Sequence, residues 1–315
     1  MAESTPTSRE DLEPTLRGSL AGSDGVALAF ARWELPAPRG RVVIAHGYGE
    51  HGERYGHTAR WLNRLGWAVS TLDHRGFGRS GGIRGDARGI RAPVADLVLF
   101  LRQERRHDAG RDPGAGPGPQ VLLGHSFGGL LALLALWWHP DAMEGLIVSS
   151  PALRLRPLPA HLRLLQLVAR RVMPHRPLEV PGDKAQVCSD PDLVRRYRED
   201  PHCHRYISAG FVAAMAEGAR ELMAAGAELD RPILLLEAGR DTVVDPDGAE
   251  ALWAALRPGL LERHRLDGFF HEIFHDRGRA QAEDLTARWL DRHFPAGGAP
   301  PVPDAATSLN PQGTP

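Results

Sequence analysis

Apolar residues fall along this chain in two alternating kinds of run. Short, nearly continuous runs at residues 41–45, 67–72, 121–123, 145–148 and 232–236 predict strands buried on both faces. Residues 26–33 alternate apolar and polar as a half-exposed strand does, and residues 261–266 make a weaker strand. Between these runs, residues 54–65, 90–105, 130–138, 248–256 and 280–294 read as helices. Such alternation predicts an α/β fold with a mainly parallel central sheet flanked by helices on both faces. One stretch breaks the rhythm. Residues 149–230 contain helical pieces and Pro-punctuated loops but no strand-like run, which predicts a helical insertion between two core strands.

Within the insertion, residues 161–173 carry Leu162, Leu164, Leu165, Leu167, Val168 and Val172 together with Arg163, Arg170 and Arg171. A basic amphipathic helix of this kind can lie on a lipid surface. The more economical expectation is a helix that packs its apolar side over the core and leaves the arginines in water. Residues 1–14 and 295–315 are polar or rich in Ala, Gly and Pro, which predicts disordered ends. Residues 108–119 read as a Gly/Pro-rich surface loop. The expected layout is a core of residues 15–148 and 231–294 with the insertion at 149–230.

Composition narrows the partners. In 315 residues, 38 Lys and Arg nearly balance 39 Asp and Glu, so no global charge favours nucleic acid or an anionic membrane. The first twenty residues lack an apolar signal core, and the longest apolar run, residues 130–138, is too short to span a bilayer. These features lead us to expect a cytoplasmic protein, peripheral to a membrane at most. Its two cysteines, Cys188 and Cys203, do not fix a disulfide, and their neighbours lack the regular four-ligand spacing of a zinc site.

The chemistry concentrates between the strand at 121–123 and the helix at 130–138, where Gly124-His125-Ser126-Phe127-Gly128 forms a G-x-S-x-G. Strand, sharp turn and helix are the context in which this motif acts as a nucleophile elbow. The glycines let chain pass close to the serine, and the following helix aims its N-terminal N–H groups at the same place. A serine nucleophile needs a base, and the base an orienting acid. In this type of fold they follow in the order Ser, acid, His, each beyond a later strand. Asp241 lies directly after the strand at 232–236 and is the expected acid; Asp245, before Pro246, is the competitor and a possible helix cap. His271 follows the strand at 261–266 and is the expected base, with His264 and His275 nearby. Two backbone donors for an oxyanion are expected at Phe127 and at Tyr48, within His46-Gly47-Tyr48-Gly49-Glu50-His51 after the strand at 41–45.

With these motifs in place the chain resembles the α/β-hydrolases, and specifically their monoacylglycerol lipase and lysophospholipase-like branch. The resemblance spans residues 20–294 and rests on residues 46–51 with Arg54-Tyr55, on Asp73-His74-Arg75-Gly76-Phe77-Gly78-Arg79-Ser80, on the elbow, on Gly239-Arg240-Asp241 and on His271-Glu272. It implies a serine hydrolase that cleaves lipid esters through an acyl-enzyme on Ser126, with Asp241 and His271 completing a triad. It implies a cap formed by the insertion, and a polar head of the substrate near Gly47, Glu50 and Arg54. No metal or organic cofactor is required, and the expected partner is a small lipid or ester with transient membrane contact through the cap. A lysophospholipase or a general carboxylesterase of the same fold fits the same motifs.

A rival reading starts from His271-Glu272-Ile273-Phe274-His275, formally an H-E-x-x-H zinc protease signature. The position for a third histidine is Gln281, and a zincin needs both histidines on one regular helix. Gly268 and the preceding strand put His271 in a loop instead.

Overall fold

Successive residues of each central strand face opposite sides of the sheet, and both sides are covered. A computed structural model describes residues 13–111, 116–157, 159–179 and 187–296. In chain order the strands are β1 (Leu16–Ala21), β2 (Ala27–Trp33), β3 (Gly40–Ala45), β4 (Trp67–Leu72), β5 (Gln120–His125), β6 (Gly145–Ser149), β7 (Pro177–Glu179), β8 (Tyr206–Ser208), β9 (Ile233–Ala238) and β10 (Leu261–Leu266). The helices are α1 (Gly56–Arg64), α2 (Arg91–Arg111), α3 (Phe127–Trp138), α4 (Ala160–Val172), α5 (Pro191–Glu199), α6 (Ala209–Ala224), α7 (Glu250–Ala255) and α8 (Arg279–His293).

Eight strands form one sheet in the order β1-β2-β4-β3-β5-β6-β9-β10. The β1–β2 and β2–β4 pairs are antiparallel, and every later pair is parallel. Val43, Leu122, Leu146, Val148 and Leu235 face a core shared with α2, α3, α6 and α7. Their neighbours Val42, Ile44, Val121, Leu123 and Leu234 face a second core closed by α1 and α8. Two-sided burial explains why these strands read as continuous apolar runs. Each fully buried Leu or Val contributes about 1.5–3 kcal/mol.

The structure corrects the expectations in several places. β1 was not anticipated; its exposed positions give it little apolar signal, and it forms by pairing with β2. α2 runs to Arg111, so the first four residues of the expected loop at 108–119 are helical, while 112–115 lie outside the described residues; Arg41 pairs with Asp108 on the final turns of that helix. The segment between β6 and β9 is not free of strands, since β7 and β8 form a small antiparallel ribbon. α4 does not pack its apolar side on the core. Leu164, Leu165, Leu167, Val168 and Val172 are each more than half exposed, because the helix is anchored through Ala169 and packs beside α6. Of the disorder expected at 1–14 and 295–315, all but residues 13, 14, 295 and 296 lies outside the described residues.

The insertion is tied to the core at several points. The ring of Phe211 at the start of α6 meets that of Phe127 in α3, 5.5 Å away. Leu155 bridges to Val244, and the Arg156 side chain donates to the carbonyl of Asp241 at 2.8 Å. Among the described residues no helix is long and apolar enough to cross a membrane.

Candidate active site

β5 ends in a turn that only its small neighbours permit. Ser126 sits at φ 52°, ψ −113°, a region an L-residue occupies at a cost of about 1–3 kcal/mol. Its N–H donates to Ser149, and its carbonyl accepts from Leu130 and Ala152. A Cβ on Gly124 would lie 2.5 Å from the carbonyl oxygen of Gly128, and one on Gly128 would lie 2.1 Å from that of Ala45. The G-x-S-x-G spacing is therefore a packing requirement as well as a motif. α3 starts at Phe127, whose N–H has no acceptor within the helix and lies at its positive end.

Two loops bring partners to this serine. His271, beyond β10, places Nε2 2.8 Å from Ser126 Oγ and Nδ1 2.7 Å from Asp241 Oδ2. All three residues are buried. Burial opposes ionisation of Asp241, but the His271 ring and the N–H groups of Val243 and Val244 outweigh it and lower its pKa. Those two N–H groups both reach Asp241 Oδ1 at 2.8 Å. A carboxylate can only accept, so Nδ1 carries the proton and Nε2 is left to accept from the serine hydroxyl.

The alternatives lie elsewhere. Asp245 occupies the N-cap position of a 3₁₀ turn, Pro246–Ala249, without a side-chain cap, and its carboxylate is 3.5 Å from Arg154. His264 pairs with Glu262, and His275 is buried beside Tyr55 and His57. Both ring nitrogens of His271 are engaged by Ser126 and Asp241, and only Ile273–His275 form a short 3₁₀ turn. The regular helix of a zinc protease is thus absent from the H-E-x-x-H segment.

The loop after β3 lies against the elbow. A Cβ on Gly47 would be 2.9 Å from the His125 ring, and the Tyr48 ring centroid stands 6.0 Å from that of Phe127. The Tyr48 hydroxyl donates to the carbonyl of Tyr206 at 2.6 Å. Gly47, Glu50 and Arg54, expected near a substrate's polar head, are bonded to one another and to the histidine loop. Glu50 Oε1 accepts from the Gly47 N–H at 2.6 Å and from the Tyr55 hydroxyl at 2.9 Å, while Oε2 pairs with Arg54. Arg54 reaches on to Glu272, next to His271, at 3.1 Å and lies over the Tyr197 ring of the insertion. This brace between the two loops was not legible in the sequence, although Glu272 was noted beside His271.

The fold agrees with the comparisons. The family described as serine aminopeptidase, S33, matches residues 36–278. The chain belongs to this family of α/β-hydrolases. This hydrolase is 29% identical to a monoacylglycerol lipase of Mycolicibacterium smegmatis over 280 residues, 88% of this chain and 97% of that one. It is 30% identical to the monoglyceride lipase of Homo sapiens over 259 residues, covering 81% and 82% of the two chains. The crystal structure of Paleococcus ferrophilus monoacylglycerol lipase superposes with a TM-score of 0.72 at 29% identity, covering 84% of this chain and 99% of that one. The hydrolase is accordingly a serine hydrolase of the esterase type.

Proposed function

We propose that this enzyme hydrolyses monoacylglycerols to glycerol and fatty acid through an acyl-enzyme on Ser126. The observation that carries this reading is the unbroken chain from Ser126 Oγ through His271 to Asp241, in a protein whose similar relatives are named monoacylglycerol lipases. Ser126 attacks the ester carbonyl while His271 Nε2 takes its proton. Asp241 holds the imidazole in the required tautomer and stabilises the imidazolium. The backbone N–H groups of Tyr48 and Phe127 stabilise the oxyanion. His271 then protonates the departing glycerol, activates water against the acyl-enzyme, and returns the proton to Ser126 as the fatty acid leaves.

Residues 149–230 act as the cap in this account. The buried ring of Phe211 packs on that of Phe127 and so joins the cap to the helix behind the nucleophile. The exposed Leu and Val side chains of α4, flanked by Arg163, Arg170 and Arg171, suit transient contact with the lipid surface from which such substrates come. Glu50 and Arg54 act here as a brace on the oxyanion loop, with contact to the glycerol head secondary.

The test is a matched panel: a short aryl ester, monoacylglycerols of increasing chain length, lysophosphatidylcholine, a triacylglycerol and an aminoacyl arylamide, each also run with Ser126→Ala. A preference for long-chain monoacylglycerol that vanishes in the variant is expected. Turnover of the aryl ester alone, or a preference for the arylamide, would overturn the substrate assignment.

A further inference from the structure

The insertion meets the oxyanion loop at a second polar cluster that the hydrolytic reaction does not use. His51 follows Glu50 on the loop after β3, while Asp200 and Cys203 lie just beyond α5 in the insertion. One nitrogen, one carboxylate oxygen and one sulfur from these three residues lie within 4.8 Å of one another. His51 is 4% exposed, its Nε2 is 2.9 Å from Asp200 Oδ2, and its buried Nδ1 has no hydrogen-bond partner. The His202 ring stands edge-on to it, with centroids 5.8 Å apart. Cys203 is not in a disulfide.

We propose that His51, Asp200 and Cys203 form a zinc site that fastens the insertion to the oxyanion loop. Imidazole, carboxylate and thiolate together suit a borderline-soft ion, and Zn²⁺ is the common metal for such a set. Tetrahedral zinc needs ligand atoms about 3.3–3.8 Å apart, so the nitrogen and oxygen, now 2.9 Å apart, open slightly and the sulfur closes by at most about 1.5 Å. His202, edge-on to His51, is at hand for the fourth position. Zn²⁺ takes the place of the proton between His51 Nε2 and Asp200, and that proton moves to the unpartnered Nδ1. Formation of the zinc–thiolate bond releases the Cys203 proton to solvent. The surrounding backbone is already closed around this point. The N–H of His204 and the hydroxyl of Tyr197 both donate to the carbonyl of Gly49, at 2.9 and 3.0 Å. The ion would thus lock an existing contact between insertion and loop, and it is not required for hydrolysis. Sequence spacing alone hid the site, because His51 is far from the cysteine in the chain.

The experiment uses the full chain, metal-free, titrated with Co²⁺ and with Zn²⁺. The expected result is one equivalent of Co²⁺ with a thiolate-to-cobalt charge-transfer band, displaced by Zn²⁺. The band should be lost in Cys203→Ser, and Co²⁺ affinity should fall at least about tenfold in Asp200→Asn. In the unaltered chain, Zn²⁺ should also protect Cys203 from iodoacetamide, read by peptide mass, which gives an answer even where a variant fails to fold. Absence of stoichiometric binding, a band that survives Cys203→Ser, or unaltered alkylation of Cys203 would each overturn the site. None of these readouts depends on ester hydrolysis.

Discussion

At the scale of single residues, function depends on which carboxylate the histidine faces. Asp241→Asn should lower kcat by about 10⁴-fold, because the amide permits the wrong imidazole tautomer. Asp245→Asn should stay within a few-fold of the parent, since its carboxylate faces Arg154 and not His271. Steady-state rates on one ester decide between them, and the reverse pattern would reassign the acid. Glu50 poses a different question. Its carboxylate holds the Gly47 N–H, the Tyr55 hydroxyl and Arg54 in a buried setting. Glu50→Ala would leave the Arg54 charge half-paired, with a cost of about 3–5 kcal/mol in urea unfolding. If this variant keeps its stability but loses affinity for monoacylglycerol relative to a short aryl ester, Glu50 contacts substrate and the brace is the wrong reading.

At the scale of elements, the elbow and the α4 helix are the informative extremes. Gly128→Ala would drive a Cβ into the backbone oxygen of Ala45, where no flexible side chain can give way. Soluble yield and thermal midpoint should both drop. On the outer face of α4, Leu164 and Leu167 are each 64% exposed. Leu164→Asp with Leu167→Asp should therefore leave hydrolysis of a soluble short ester unchanged and abolish flotation with phosphatidylcholine vesicles. Equal flotation of variant and parent would remove α4 from any lipid contact. Elements buried on both sides were legible from the sequence, because two-sided burial writes itself as a continuous apolar run. β1, β7 and β8 were not legible. Their residues are partly exposed and short in pattern, and they become strands through partners supplied by the tertiary fold. The fate of α4 was also hidden, since periodicity gives the direction of an apolar face but not what covers it.

At the scale of the whole molecule, the candidate site is where distant strand ends converge. Ser126, Asp241 and His271 were readable because each sits in the loop after a strand, and the strand order brings those loops together. The brace through Glu50, Arg54 and Glu272 was not readable, since a charge in a sequence does not name its partner. The same convergence buries several histidines. Burial pushes the pKa of His46 down to about 3 and of His57 to about 4, and holds His74 and His275 well below their usual value. The folded state thus keeps them neutral while the unfolded chain takes up protons below about pH 6.5. Stability is complete above that pH and falls as pH drops toward 4, by up to about 1.4 kcal/mol per pH unit for each histidine. Asp241 adds to the loss at lower pH, because its depressed pKa contributes stability only while it is ionised. Urea midpoints should therefore fall steeply between about pH 6.5 and pH 4. A flat profile would mean that these histidines are solvated.

The central claim is that lipid ester cleavage passes through Ser126. Acid quenching during turnover of a long-chain monoacylglycerol, followed by peptide mass analysis, tests it most directly. The peptide containing Ser126 should gain the mass of the acyl group, and Ser126→Ala should show neither the adduct nor turnover. An acyl group found on another residue, or glycerol release that persists in Ser126→Ala, would contradict the account.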